Sequence, residues 1–312
     1  MSGKLVEAAF IWRDGEVIRW EDATVHLLST AVQFGTSMFE GIRCYDTPKG
    51  PCVFRLDVHV ERLFHSCRIY RMEPAYSQQE IIDACLTTVE RNGLKDCYIR
   101  PMVLRGYGSA GLDPEHSPVE TYIAAWPWGA YLGEEALEKG VDVCVSSWHR
   151  PAPNTFPVQA KAAGHYNNAQ LIKMEAVANG YSEGLVLSTE GRLSEGGGQN
   201  VFLVRGGALV TPQLDGSLLR GVTRDAVITM AGDLGIQVQE RPVPREDLYT
   251  ADEVFFTGTA TEVTPIRSVD RITVGEGKAG PVTKAVQNRF LAVAKGEEED
   301  LHGWLTPVCR GG

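Results

Sequence analysis

The sequence predicts a mixed α+β fold in two domains. Short apolar runs separated by turn residues open the chain, segments with helical spacing and a capping signal follow them, and strand and helix patterns resume beyond a polar link near residue 130. At 312 residues and 43% hydrophobic content, the chain can bury substantial cores.

Phe10–Arg13 and Glu16–Trp20 flank Asp14-Gly15, whose tolerance of positive φ suits a hairpin turn. Asp57–Tyr70 carries Val60, Leu63, Phe64 and Cys67 at helical spacing. Ser77-Gln78-Gln79-Glu80 is a capping box that leads into Ile81, Ile82, Cys85, Leu86 and Val89. Cys97–Leu104 and Val119–Trp126 read as strands, and Gly129–Glu135 as a surface link. The expected division is a small N-terminal domain (1–128), a linker (129–138) and a larger C-terminal domain (139–312). In the larger domain Val141–Trp148 is expected as a strand, Tyr166–Asn179 as a helix closed by Gly180, and Gly184–Ser188, Val201–Val204 and Leu209–Thr211 as short strands. Thr223–Leu234 reads as a helix ending at Gly235, Glu253–Thr257 as a strand and Val282–Lys295 as the last helix.

A net charge of −10 and a pI near 5.3 argue against nucleic acid or an anionic membrane as the main partner. No stretch approaches the length of a membrane span and Met1–Glu7 has no long apolar run, so a cytoplasmic protein is expected. The seven cysteines are scattered and never form Cys-x-x-Cys, which suits reduced, mostly buried thiols. No metal motif is present, and Asp113-Pro-Glu115-His116 reads as a polar loop.

Lys161 stands among Gln159-Ala160 and Ala162-Ala163-Gly164. Small neighbours let a ligand approach the amine, and partial desolvation favours the neutral form that attacks a carbonyl. Glu195, on a glycine-rich turn leaving a short apolar strand, is a candidate acidic partner for a protonated pyridine nitrogen. Gly221-Val222-Thr223 enters a helix, where amides and a hydroxyl either hold a phosphate or make an ordinary cap. Gly258-Thr259-Ala260-Thr261 offers further donors, or is a plain turn. Arg62 lies three residues from His59 on one helical face, next to apolar Leu63-Phe64, and either reaches inward toward an anion or lies on the surface. Gly106-Tyr107-Gly108-Ser109-Ala110-Gly111 matches a dinucleotide fingerprint, but Pro114 and Pro118 deny it the helix that would meet a pyrophosphate, so a loop is expected there.

A Schiff-base lysine, a carboxylate and three phosphate-holding elements are the parts of a pyridoxal phosphate site. The chain resembles the fold-type IV pyridoxal phosphate enzymes, and among them the bacterial branched-chain amino acid aminotransferases. The resemblance runs in order through Phe34–Arg43, His59-x-x-Arg62-Leu63, Tyr98–Pro101, Ala125–Tyr131, Asn154-Thr155, Lys161, Ser194–Gly196, Gly221–Asp225 and Gly258–Ala260.

That resemblance implies a small N-terminal α/β sandwich domain and a larger C-terminal pseudo-barrel domain, with pyridoxal 5'-phosphate between them. It implies Lys161 as the lysine that binds the cofactor and then shuttles the substrate proton, and Glu195 as the partner of the pyridine nitrogen. Arg62, Val222, Thr223 and Thr259 would hold the phosphate, Tyr166 the phenolic oxygen, and Leu219 would pack on the ring. Tyr98, Thr259 and Ala260 would take the substrate α-carboxylate; Phe39, Trp128, Tyr131 and Tyr166 would line its side-chain pocket, and Arg100 would receive the second carboxylate of glutamate. The implied reaction moves the amino group of L-leucine, L-isoleucine or L-valine to 2-oxoglutarate by ping-pong kinetics, in a homodimer or larger homo-oligomer. The alternative is another fold-type IV chemistry: a D-amino acid or (R)-amine transaminase, or an aminodeoxychorismate lyase. Phe34, where the family usually has tyrosine, Gln199, in place of a commoner acidic residue, and the Gly106–Leu112 loop are this chain's departures.

Overall fold

The structure, a computed structural model, describes residues 5–129 and 132–309. Two compact units emerge, one from the described residues of Ser2–Gly129, Ala160–Gly164 and Val293–Gly312, the other from those of Ala130–Gln159 and His165–Ala292. Lys161 belongs to the first unit and Glu195 to the second.

In chain order the first unit contributes β1 (Phe10–Arg13), β2 (Glu16–Arg19), α1 (Thr30–Phe34), β3 (Ser37–Phe39), β4 (Ile42–Thr47), β5 (Gly50–Phe54), α2 (Leu56–Ile69), α3 (Gln78–Arg91), β6 (Cys97–Arg105) and β7 (Val119–Pro127). The second contributes α4 (Glu134–Lys139), β8 (Val141–His149), α5 (Tyr166–Ala178), β9 (Glu183–Leu187), β10 (Leu193–Gly196), β11 (Asn200–Arg205), β12 (Ala208–Pro212), α6 (Val222–Asp233), β13 (Val238–Arg241), α7 (Asp247–Thr250), β14 (Glu253–Gly258), β15 (Glu262–Val269) and β16 (Ile272–Thr273). Helix α8 (Pro281–Ala294) leads to β17 (Leu305–Pro307) at the end of the chain.

The first unit is built on a sheet of order β17-β5-β4-β6-β7-β1-β2, with β3 pairing β6. Asp14 and Gly15, both at positive φ, make the β1–β2 hairpin. Helix α2 turns Leu56, Val60, Leu63 and Cys67 inward, where they join Ile42, Cys44, Cys97 and Ile99 from the sheet in one apolar core. Both limbs of the α3 capping box form, Ser77 N–H donating to Glu80 at 2.7 Å and Glu80 N–H to Ser77 at 3.3 Å, a cap worth about 1 kcal/mol.

The second unit carries a sheet of order β10-β9-β8-β15-β14-β11-β12-β13, with β16 on β15. Phe202 of β11 faces Phe255 of β14 across the ladder, the rings stacked at 5.3 Å. Helix α5 stops at Asn179, where Gly180 takes the left-handed backbone expected of it. Among the described residues no helix is long and apolar enough to cross a membrane.

Several elements differ from the sequence reading. Glu195 lies within β10 rather than on the turn that leaves it, and α4 forms where only a link was expected. Two glycines of the Gly106 loop answer to close packing: a Cβ at Gly106 would lie 2.0 Å from a Glu120 carboxylate oxygen, and one at Gly108 would lie 2.0 Å from the His116 carbonyl, while one at Gly111 would meet nothing within 4 Å. No helix follows that loop, which returns directly to β7, so the fingerprint has none of the geometry that would hold a pyrophosphate.

Candidate active site

The backbone of Lys161 is fixed from both sides. Its carbonyl accepts from Phe39 N–H at 3.1 Å, its N–H donates to the Ser66 hydroxyl at 3.0 Å, and Ala162 bridges to Met38. Ser66, fully buried on α2, donates in turn to the Arg62 carbonyl at 2.9 Å. With buried Ala160 and Ala162 on either side, the half-buried Lys161 projects Nζ to 5.0 Å from the Phe39 ring centre. The small neighbours therefore act as packing that lets a short strand-like segment carry an amine into the unit.

Beside it lies a buried acid. Glu40, wholly inaccessible, receives Arg62 Nε and Nη2, each at 2.7 Å, and His59 Nδ1 at 2.7 Å. Burial alone opposes ionisation, but the Arg62 guanidinium and the hydrogen bonds from His59 and Arg62 outweigh it and hold the Glu40 carboxyl far below the usual carboxylate range. Burial pushes His59 below its ordinary value despite its Glu40 contact, so the ring is neutral and donates Nδ1–H to the carboxylate. Arg62 thus points inward, oriented by a two-point fork on Glu40.

Arg100 of β6 is surrounded by aromatic rings. Its guanidinium carbon lies 4.7 Å from the Phe39 centroid, 5.4 Å from Tyr98 and 5.7 Å from Trp126, and its Nε is buried without a hydrogen-bond partner. Tyr98 also packs on Trp128 at 4.8 Å. The Tyr98 hydroxyl sits over Gly41, where a Cβ would come within 1.7 Å of it. Tyr131 and Ala130, at the end of this aromatic run in sequence, lie outside the described residues. Phe34, at the end of α1, is about half exposed.

In the second unit Glu195 is buried and hydrogen-bonded through both carboxylate oxygens. Arg150 Nη2 reaches Oε1 at 2.8 Å, while Asn200 Nδ2 and the Leu219 amide donate to Oε2 at 3.2 Å each. All three donors suit the ionised acid. Helix α6 begins at Val222 and Thr223 with Gly221 as N-cap and no side chain on its first amides, so its N-terminus is open to an anion. Thr259 and Ala260 form the turn between β14 and β15, flanked by the buried hydroxyls of Thr257 and Thr261, which have no hydrogen-bond partner. Tyr166, half-buried, opens α5. Gln199 lies on Glu183 at 3.2 Å, outside the donor set of Glu195.

Residues 37–269 match the family described as amino-transferase class IV. A branched-chain-amino-acid aminotransferase of Salmonella typhimurium is 52% identical over 303 residues, spanning 97% of this chain and 98% of its own length. The chain belongs to the class IV aminotransferases.

Solved structures of this aminotransferase family superpose closely. The branched-chain amino acid aminotransferase of Escherichia coli aligns at a TM-score of 0.95 and 51% identity, covering 97% of this chain and all of its own. That of Thermobaculum terrenum, solved in its PLP-form, aligns at 0.91 and 36% identity over 97% of this chain and 99% of its own. The chain is accordingly a fold-type IV enzyme and a pyridoxal 5'-phosphate-dependent transaminase. Its residues fit that cofactor. An ionised, buried Glu195 can accept a pyridinium N–H, and the uncapped amides of α6 with the unpartnered Thr257 and Thr261 hydroxyls match the needs of a phosphate.

Sequence reading missed Glu40, Ser66, Arg150 and Asn200, each of which holds one of the assigned residues. Glu40 had a detectable signal, since an acid between Phe39 and Gly41-Ile42 lies in a run too apolar for solvent. Arg150 and Asn200 are ordinary in sequence and become visible only through the fold.

Proposed function

We propose that this aminotransferase moves the amino group of L-leucine, L-isoleucine or L-valine to 2-oxoglutarate in two half-reactions. The observation that carries the reading is Arg100: a cation within an aromatic surround accepts aliphatic side chains against its rings and still offers the charge that glutamate's second carboxylate requires.

Pyridoxal 5'-phosphate, when bound, supplies a protonated ring that withdraws electrons from the substrate α-carbon. Lys161 would hold the cofactor through Nζ and, when that amine is free, would carry the proton of the substrate α-carbon. Glu195, held by Arg150, Asn200 and the Leu219 amide, would accept the pyridine N–H. Arg62, oriented by Glu40, would supply positive charge to the phosphate, and the Val222 and Thr223 amides and Thr259 would supply its hydrogen-bond donors. Tyr166 would donate to the phenolic oxygen and Leu219 would pack on the ring. Tyr98 and the Thr259-Ala260 turn would orient the substrate carboxylate, while Phe39, Trp128 and Tyr166 would shield its side chain from water; Tyr131, expected with them, lies outside the described residues.

We place the enzyme in the cytoplasm as a homodimer or larger homo-oligomer. Exposed Leu27, Leu28, Val32, Tyr107 and Leu112 support that reading: the His26 and Tyr107 rings, 4.2 Å apart, bring the two segments together, and grouped apolar side chains are poorly suited to water.

The test is production of glutamate from 2-oxoglutarate with each L-amino acid, with D-alanine and an (R)-amine as contrasts. Transfer from L-leucine, L-isoleucine and L-valine is expected. Transfer only from the D-amino acid or (R)-amine would replace the substrate assignment.

A further inference from the structure

Glu195 and the start of α6 serve opposite ends of the proposed cofactor cradle, and one side chain touches the surroundings of both. Asn200, buried on β11, donates from Nδ2 to Glu195 Oε2 at 3.2 Å and to the Leu219 carbonyl at 3.0 Å. Two acceptors on the nitrogen leave Oδ1 directed at the Cα of Gly221, the N-cap of α6. A Cβ at Gly221 would stand 1.9 Å from Asn200 Oδ1 and 3.1 Å from its Cγ, with Arg224 Cβ at 3.3 Å. The Gly221 backbone, at φ −73 and ψ 134, is one that any residue adopts. Glycine is needed there because of the Asn200 amide, and not because of the chain's own conformation.

Neighbouring bonds strengthen the same connection. The Leu219 amide returns to Glu195 Oε2 at 3.2 Å, and Ser194, the residue before Glu195, donates its hydroxyl to the Ser217 carbonyl at 2.9 Å. On its other oxygen Glu195 is held by Arg150, which is itself anchored by Asn168 Oδ1 at 3.2 Å and by its own amide to the Leu187 carbonyl at 2.9 Å. The carboxylate is thus fixed to the sheet on one side and to the 217–221 loop on the other.

We infer that Asn200 is a positioning residue that couples the two ends: it holds the Glu195 carboxylate and the α6 entry in one register, so that a change at the phosphate end is felt at the pyridine nitrogen. This rests on the pyridoxal phosphate roles proposed above for Glu195, Val222 and Thr223.

The experiment substitutes one end and reads the other. For wild type, Gly221→Ala, Asn200→Ala and Asn200→Ser, the visible absorbance of the reconstituted enzyme is titrated with pH, and the affinities of apoprotein for pyridoxal 5'-phosphate and for pyridoxal are compared by equilibrium dialysis. Coupling predicts that Gly221→Ala, although at the phosphate end, moves the pH midpoint of the visible band by about half a unit or more. It predicts that the Asn200 variants move that midpoint and also shrink the preference for the phosphorylated cofactor by roughly tenfold, the loss expected of a hydrogen bond to a charged group. A Gly221→Ala enzyme that binds the phosphate more weakly with an unmoved midpoint would overturn the coupling. So would Asn200 variants that lower apoprotein stability but leave both readouts at wild-type values. Should Asn200→Ala not fold, Asn200→Ser and Gly221→Ala carry the same two comparisons. A wild-type protein with no visible band and no preference for the phosphorylated form would overturn the cofactor roles, and this inference with them; a normal wild type beside unresponsive variants overturns the inference alone.

Discussion

Arg62 closes on Glu40 through two hydrogen bonds of 2.7 Å, in a place where the carboxylate has no access to water. The pair orients the cation, and breaking it leaves a buried charge without its partner. Glu40→Ala should cost about 3–5 kcal/mol in the urea unfolding of the apoprotein and should weaken cofactor binding as well. A loss below about 1 kcal/mol would mean that the pair is not what holds this part of the unit.

The same cluster sets an acid limit. Glu40 and His59 are both depressed in the fold, so the unfolded chain binds protons that the native one refuses, and stability rises with pH across that window. The contribution of His59 is complete above the ordinary histidine value of about 6.5 and declines as pH falls through it, with that of Glu40 following in the carboxylate range. His59→Gln should therefore flatten the dependence of the urea midpoint between about pH 7 and 5. An unchanged slope would place the titrating group elsewhere.

Arg100→Met should separate the two half-reactions. Loss of the guanidinium should reduce kcat/KM for glutamate and 2-oxoglutarate by roughly a hundredfold, the scale of an unpaired buried carboxylate, and that for leucine by only a few-fold. Equal losses would count against this assignment.

Gly41→Ala would drive a methyl group to within 1.7 Å of the Tyr98 hydroxyl. Displacement of the ring should raise KM for every amino acid substrate and lower kcat/KM at least about tenfold, since misplacement by an ångström has large kinetic effects. Wild-type kinetics in a folded Gly41→Ala protein would show that Tyr98 does not help to position substrate.

Thiol chemistry offers a check on the packing. Cys309 is exposed, whereas Cys44, Cys52, Cys67, Cys85, Cys97 and Cys144 are buried. Burial pushes Cys67 up to about 12 and Cys144 up to about 11. One thiol should react rapidly with an aromatic disulfide reagent in the native protein, and Cys309→Ser should abolish that phase. Rapid reaction of several thiols would contradict the core described for both units.

What the sequence disclosed tracks how local the physics is. The Ser77–Glu80 cap, the Asp14-Gly15 turn and the stop at Gly180 depend on neighbours within a few residues, and each forms as expected. Strands β3 and β17 were not legible, because they exist through pairing partners far along the chain, such as Leu305 with Phe54, whereas the β4–β5 hairpin was missed although its partners are close, as Thr47 with Gly50. The assigned residues could be named from motif order, but their supports could not. Glu40 beneath Arg62, Ser66 behind Lys161, and Arg150 and Asn200 around Glu195 are brought there only by folding.

The most direct test of the role of Lys161 is the absorption spectrum of purified wild-type protein and of Lys161→Ala, each supplied with pyridoxal 5'-phosphate and then with L-leucine. The wild type should show a visible band that bleaches with leucine and returns with 2-oxoglutarate, and Lys161→Ala should show no such cycle. A band and a leucine response of equal size in the variant would contradict the role given to Lys161.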